Sequence, residues 1–138
     1  MINHLTKASW FPVLLVLAAA CASTGGMRSE PIDEGEARVY TAPLTVIAPA
    51  VQQAVLAAGL DVDGVSQPDS ATWMIVAKKG MSFFSWGELV RVVAQETPDR
   101  AAVVVRVFTK RRLATNITAK GDWSGTIFDE LDHILAQN

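Results

Sequence analysis

Three runs of β-branched and aromatic residues stand out in the second half of the chain: 72–79 (TWMIVAKK), 88–97 (ELVRVVAQET) and 101–110 (AAVVVRVFTK). These residue types suit a pleated, half-buried surface and predict a strand for each run. Pro98 and Asp99 mark a turn between the last two, so the runs read as antiparallel strands joined by hairpins. Side chains alternate across a strand, which puts Val90, Val92 and Ala94 on one face of the middle strand. Ala101, Val103, Val105 and Val107 share one face of the last strand. The opposite face carries Arg91, Gln95, Arg106 and Lys110, yet also Leu89, Val93, Val104 and Phe108. A face turned wholly to water would be more polar than that.

Two segments follow the helical period instead. Leu44, Ile47, Val51, Val55 and Ala58 recur at three- and four-residue spacings, and Gly59 is placed to cap a helix that ends there. Pro49 lies inside this stretch and fits best at the first helical position, which predicts that the regular helix begins around Ala48. Near the C-terminus Ile127, Leu131, Ile134 and Leu135 form a stripe with Phe128 beside it. Thr126 and Asp129 resemble a capping box for that helix, and Trp123 precedes it as a staple into the core. Short strands are predicted at 37–42 and 60–65. Asp61, Asp63 and Gly64 look like the start of a calcium loop, but the position that needs a glutamate holds Thr72, so Asp63-Gly64 is read as a turn or bulge. The order β-α-β-β-β-β-α predicts an α+β fold: an antiparallel sheet of about five strands with two helices on one face.

The first 20 residues belong to another physical class. One positive charge at Lys7 precedes an uncharged apolar run from Ala8 to Ala20, too short to span a bilayer, for which roughly 20 apolar residues are needed. This is the pattern of a secretory signal. The chain's single cysteine, Cys21, closes the run directly behind Ala18, Ala19 and Ala20. A lone thiol forms no internal disulfide. The arrangement resembles the lipobox of bacterial lipoproteins, which implies cleavage before Cys21, a covalent diacylglycerol and an N-acyl chain such as palmitate on Cys21, and a membrane anchor through that lipid. Ala22 and Ser23 follow the cysteine, and the resemblance implies the periplasmic face of the outer membrane; the alternative is an ordinary signal cut that leaves a soluble periplasmic protein. Residues 22–36 are rich in Gly, Ser, Pro and acids without apolar period, so 21–36 is read as the lipidated cysteine and a flexible tether. Extended, it would reach about 50 Å. Residues 37–138 are read as a single domain, periplasmic if the resemblance holds.

Charge and chemistry narrow the function by exclusion. A formal net charge of −2 at pH 7 is not a nucleic-acid binder's balance. No pattern for metal, phosphate or dinucleotide binding occurs, and no cofactor is expected beyond the lipid on Cys21. His133 has Asp129 one helical turn before it and Asp132 beside it, the raw material of a general base. A periplasmic hydrolase using His133 is therefore the runner-up to a non-enzymatic protein with no catalytic residues.

The most unusual stretch is 78–88 (KKGMSFFSWGE), which sets Met81, Phe83, Phe84 and Trp86 between Gly80 and Gly87, where a turn is expected. If the three strong strands run up, down and up, Lys78, Lys79, Lys110, Arg111 and Arg112 gather at the same end of the sheet. Three readings are open: the aromatics fold inward as a satellite core, they meet another protein, since interface cores favour Trp, Phe, Met and Arg, or they meet a membrane surface. The closing helix D-W-S-x-x-I-F-D-E-L-D-H-I-L, with the short first strand, resembles small bacterial envelope lipoprotein domains. It is also similar to the helix-grip repeats of the C-subunit lipoprotein of the outer-membrane β-barrel assembly machinery, over Ala37 to Gln137. That resemblance implies an accessory or binding role toward another envelope protein and transfers no site residue. An immunity-type lipoprotein that inhibits a toxin or hydrolase is the alternative within the same class.

Overall fold

The structure, a computed structural model, describes residues 23–80, 87–111 and 121–138. Cys21, the 81–86 aromatics and Arg112 lie outside the described residues. Five strands, β1 (Glu36–Tyr40), β2 (Asp61–Asp69), β3 (Thr72–Lys79), β4 (Glu88–Glu96) and β5 (Val103–Arg111), form one antiparallel sheet in the order β1-β5-β4-β3-β2. Two helices, α2 (Leu44–Ala57) and α3 (Ser124–Ala136), pack on one face, and a six-residue helix, α1 (Thr24–Ser29), sits on the other. The α+β fold and the order of its strands and two long helices are those the periodicity predicts.

The main core lies between the sheet and the two long helices. Val90, Val92 and Ala94 of β4 and Val103, Val105 and Val107 of β5 meet Ile47, Val51 and Val55 of α2 and Ile127, Phe128 and Leu131 of α3. Each such side chain, fully buried, contributes roughly 1.5–3 kcal/mol. The central strand β4 is buried from Glu88 to Ala94, on both faces. Alternation alone explains only one of those faces.

α2 begins earlier than its proline suggested. The helix starts at Leu44 with Pro43 as its extended N-cap, whose carbonyl accepts from Val46 (2.9 Å) and Ile47 (3.0 Å). Pro49 is left in the interior, where it lacks a donor and costs about 3 kcal/mol or more. Starting at Ala48 would remove Leu44 and Ile47 from the helical face that buries both, a loss of roughly 3–6 kcal/mol on the same burial scale. Burial outweighs the proline.

α3 corrects a second expectation. It starts at Ser124, so Thr126 and Asp129 do not form the entry; Asp122 does, its Oδ1 accepting from the Ser124 N–H at 2.9 Å. Trp123 is buried as expected of a staple. β2 runs four residues beyond the expected 60–65 and contains Pro68, tolerated because β2 is an edge strand. Asp63 is the extra residue of a bulge between Val62 and Gly64. Between β4 and β5, Asp99 Oδ1 accepts from Thr97 Oγ1 (2.6 Å) and from the Ala101 N–H (3.1 Å), fixing the turn that Pro98 and Asp99 predict.

Candidate functional site

Strand register brings together most of the cations singled out in the sequence. Lys79 pairs with Glu88 and Glu88 with Arg111; one step in, Lys78 pairs with Leu89 and Leu89 with Lys110. Gly80 and Gly87, which bracket 81–86, leave from this same end of the sheet. The four described cations are not an open positive patch, however. Lys78 Nζ lies 3.6 Å from Asp63 Oδ1, Lys79 Nζ donates to the Gly59 carbonyl at 3.0 Å, and Lys110 forms an ion pair with Glu30. Arg111 is exposed.

Glu30 belongs to the stretch expected to be a tether, and that expectation is corrected for the part described here. Ser23 caps α1, its Oγ accepting from the Gly26 N–H at 3.0 Å. Met27 is 1% exposed and packs on Val76 and Leu89 with Phe108 beside them, on the face of the sheet away from α2 and α3. The unexpectedly apolar side of β4 and β5 is the floor beneath this strap. Arg28 adds an ion pair with Asp63 at 3.4 Å.

Arg91 holds the strap down. Its side chain is fully buried, and Nη1 donates to the carbonyls of Met27 (3.1 Å) and Glu30 (2.6 Å) while Nη2 donates to Pro31 (2.6 Å). The guanidinium lies 5.5 Å from the Phe108 ring centroid. Burial lowers its pKa, and the charges of Glu30, Glu34 and Asp33 oppose that. An arginine stays charged under such a shift. The sequence places Arg91 on the second face, a face less polar than one turned wholly to water, without indicating what the arginine holds. The signal that was there is the pairing of a buried-looking face with one isolated Met in a polar run.

Where the strap runs into β1, Gly35 has φ +104, and a Cβ there would sit 2.3 Å from the Val107 carbonyl oxygen. Only glycine allows that close approach.

Of the two carboxylates near His133 in sequence, one is engaged elsewhere. His133 is exposed, and its Nε2 lies 2.7 Å from the Gln137 side-chain amide. Asp132 turns to β1 instead, where Oδ2 accepts from Arg38 Nη1 at 2.5 Å and Oδ1 from the Tyr40 hydroxyl at 2.8 Å. Arg38 also lies 4.5 Å from the Phe128 ring centroid. At the far side of α3's entry, buried Glu88 accepts from Trp123 Nε1, and Ser124 Oγ lies 2.6 Å from both Glu36 Oε2 and Asp122 Oδ2. These groups fasten α3 to the sheet.

Open clefts flank the helices among the described residues. One of about 200 Å³ lies between the start of α2 and the β2–β3 hairpin, lined by Leu44, Ala48, Trp73, Gln67 and Glu96 among others. Another of about 350 Å³ lies between α2 and α3, lined by Val46, Pro49, Gln53 and Ile134 among others. Among the described residues no group of three or more His, Cys, Asp or Glu side chains is placed to hold a metal ion, and no helix is long and apolar enough to cross a membrane. Comparison with protein-family models, curated proteins and solved structures finds no match for this chain.

Tyr40 offers a test of the β1–α3 fastening. Burial, then the hydrogen bond and charge of Asp132, push its hydroxyl above the ordinary value. A raised folded-state pKa contributes stability that is complete below the unfolded value of about 10 and is lost as pH rises through the folded one. Tyr40 is the only tyrosine, so phenolate absorbance reports it directly. The titration midpoint is expected above pH ~10 in the folded protein, and Tyr40→Phe should lose less stability than wild type over that alkaline range. A midpoint at the ordinary value would contradict the assignment.

Proposed function

We propose that this chain is a non-enzymatic lipoprotein of the cell envelope, anchored by lipid on Cys21 at the periplasmic face of the outer membrane, whose α+β domain binds another envelope protein. The observation that carries the binding reading is the strand register: one end of the sheet gathers Lys79, Glu88 and Arg111 and emits the segment 81–86 through Gly80 and Gly87. Met81, Phe83, Phe84 and Trp86 lie in the chain between those two glycines. Aromatic and sulfur side chains together with Arg are the composition of an interface core with a polar rim. Internal partners for Lys78, Lys79 and Lys110 move the weight of recognition from charge to these apolar residues and Arg111.

The anchor reading rests on Cys21 closing an uncharged apolar run. One acyl chain binds a bilayer only marginally, whereas two or more anchor stably. Cys21→Ser is expected to move the protein from the membrane fraction to the soluble one, and continued membrane association would count against lipidation. Changing Phe83, Phe84 and Trp86 together to Ser is expected to abolish crosslinking to the partner with the melting temperature nearly unchanged. A large fall in melting temperature would instead place these side chains in the protein's own core.

A further inference from the structure

The strap changes what a lipid on Cys21 would do. A flexible 22–36 segment would let the domain wander about 50 Å from the bilayer. Docked, that freedom is gone: residues from Ser23 onward are fixed to the sheet by Met27, by three hydrogen bonds from Arg91, and by the ion pairs of Arg28 with Asp63 and Lys110 with Glu30. Only Ala22 separates Ser23 from Cys21, and two residues reach at most about 7 Å.

We propose that Arg91 and the strap make this a membrane-apposed domain, held with the strap end of its surface directly against the bilayer that receives the Cys21 lipid. This rests on the lipoprotein reading given above. The partner surface is a phospholipid headgroup layer, and the hold is geometric, not electrostatic. The strap sets Arg28 against Glu30, Asp33 and Glu34, a balance that does not attract anionic lipid. Apposition is therefore expected on zwitterionic membranes. It also keeps the start of the strap at Ser23 within about 7 Å of the headgroups in every pose the two-residue link allows.

Neutron reflectometry of the lipidated full-length chain on a supported phosphatidylcholine bilayer tests this. Wild type is expected to show protein density beginning at the headgroups, with no water layer thicker than the reach of two residues, about 7 Å. Inserting about 16 Gly/Ser residues between Ala22 and Ser23 leaves the strap untouched and should open a hydrated layer of roughly 20 Å. A wild-type layer already separated by such a gap would overturn the proposal, since the strap would then be undocked. An insertion variant that stays against the headgroups would overturn it too, because the domain would be adsorbing by itself. Intact mass of the membrane-extracted protein separates the two levels: a chain without acyl mass removes the lipoprotein reading along with this one, whereas an acylated chain standing off the membrane removes this one alone.

Discussion

The side chain on which the rest of the arrangement depends is Arg91. A charged group taken wholly out of water carries a penalty of several kcal/mol unless its protons are satisfied. Arg91 donates to three carbonyls of the strap, each charge-assisted bond contributing about 1.5–3 kcal/mol, and stacks near Phe108. Its Nε is buried with no hydrogen-bond partner among the described residues, which returns about 1–3 kcal/mol. Gains and costs are of the same size. The strap is thus held by Arg91 and Met27 jointly, and neither the polar clamp nor the apolar plug is dispensable. In the other direction, the strap is what makes a buried arginine at the centre of the sheet tolerable.

From that clamp follows the asymmetry of the molecule. One face of the sheet is closed by two long helices with a large aliphatic core, the other by a short strap whose Met27 packs with Val76, Leu89 and Phe108. β4 is buried on both sides as a result. The helical layer is secured twice more at its margins, by Asp132 between Arg38 and Tyr40 on β1 and by Glu88 under Trp123. Asp132, which in sequence looked like a partner for His133, serves as a fastener.

The sheet and the long helices were legible because their signals are local and periodic. Val90, Val92 and Ala94 alternate, Ile127 and Leu131 recur with the helix, and Asp63-Gly64 and Pro98-Asp99 interrupt where the chain bulges and turns. Helix entries were less legible, because Pro49 argues locally against a start at Leu44 and only the burial of Leu44 and Ile47 overrides it. The strap was not legible at all from its own composition: Gly, Ser, Pro and acids read as a solvated link, and one Met gives no period. Its existence was recorded elsewhere, in the apolar residues beside Arg91. The convergence of Lys78, Lys79, Lys110 and Arg111 was legible from hairpin topology, whereas the pairing of Lys78 with Asp63, Lys79 with Gly59 and Lys110 with Glu30 needed tertiary structure.

Native-state hydrogen exchange on the soluble domain from Ser23 onward, wild type beside Arg91→Met, measures the clamp most directly. In wild type the Gly26 and Met27 amides, bonded to Ser23, are expected to exchange at least about tenfold slower than unstructured peptide, the size of a single 1.4 kcal/mol step. In Arg91→Met that protection should disappear while the amides of β4 and β5 keep theirs. Exchange of residues 24–34 at unstructured rates in wild type would contradict the account, because the segment would then be a tether after all.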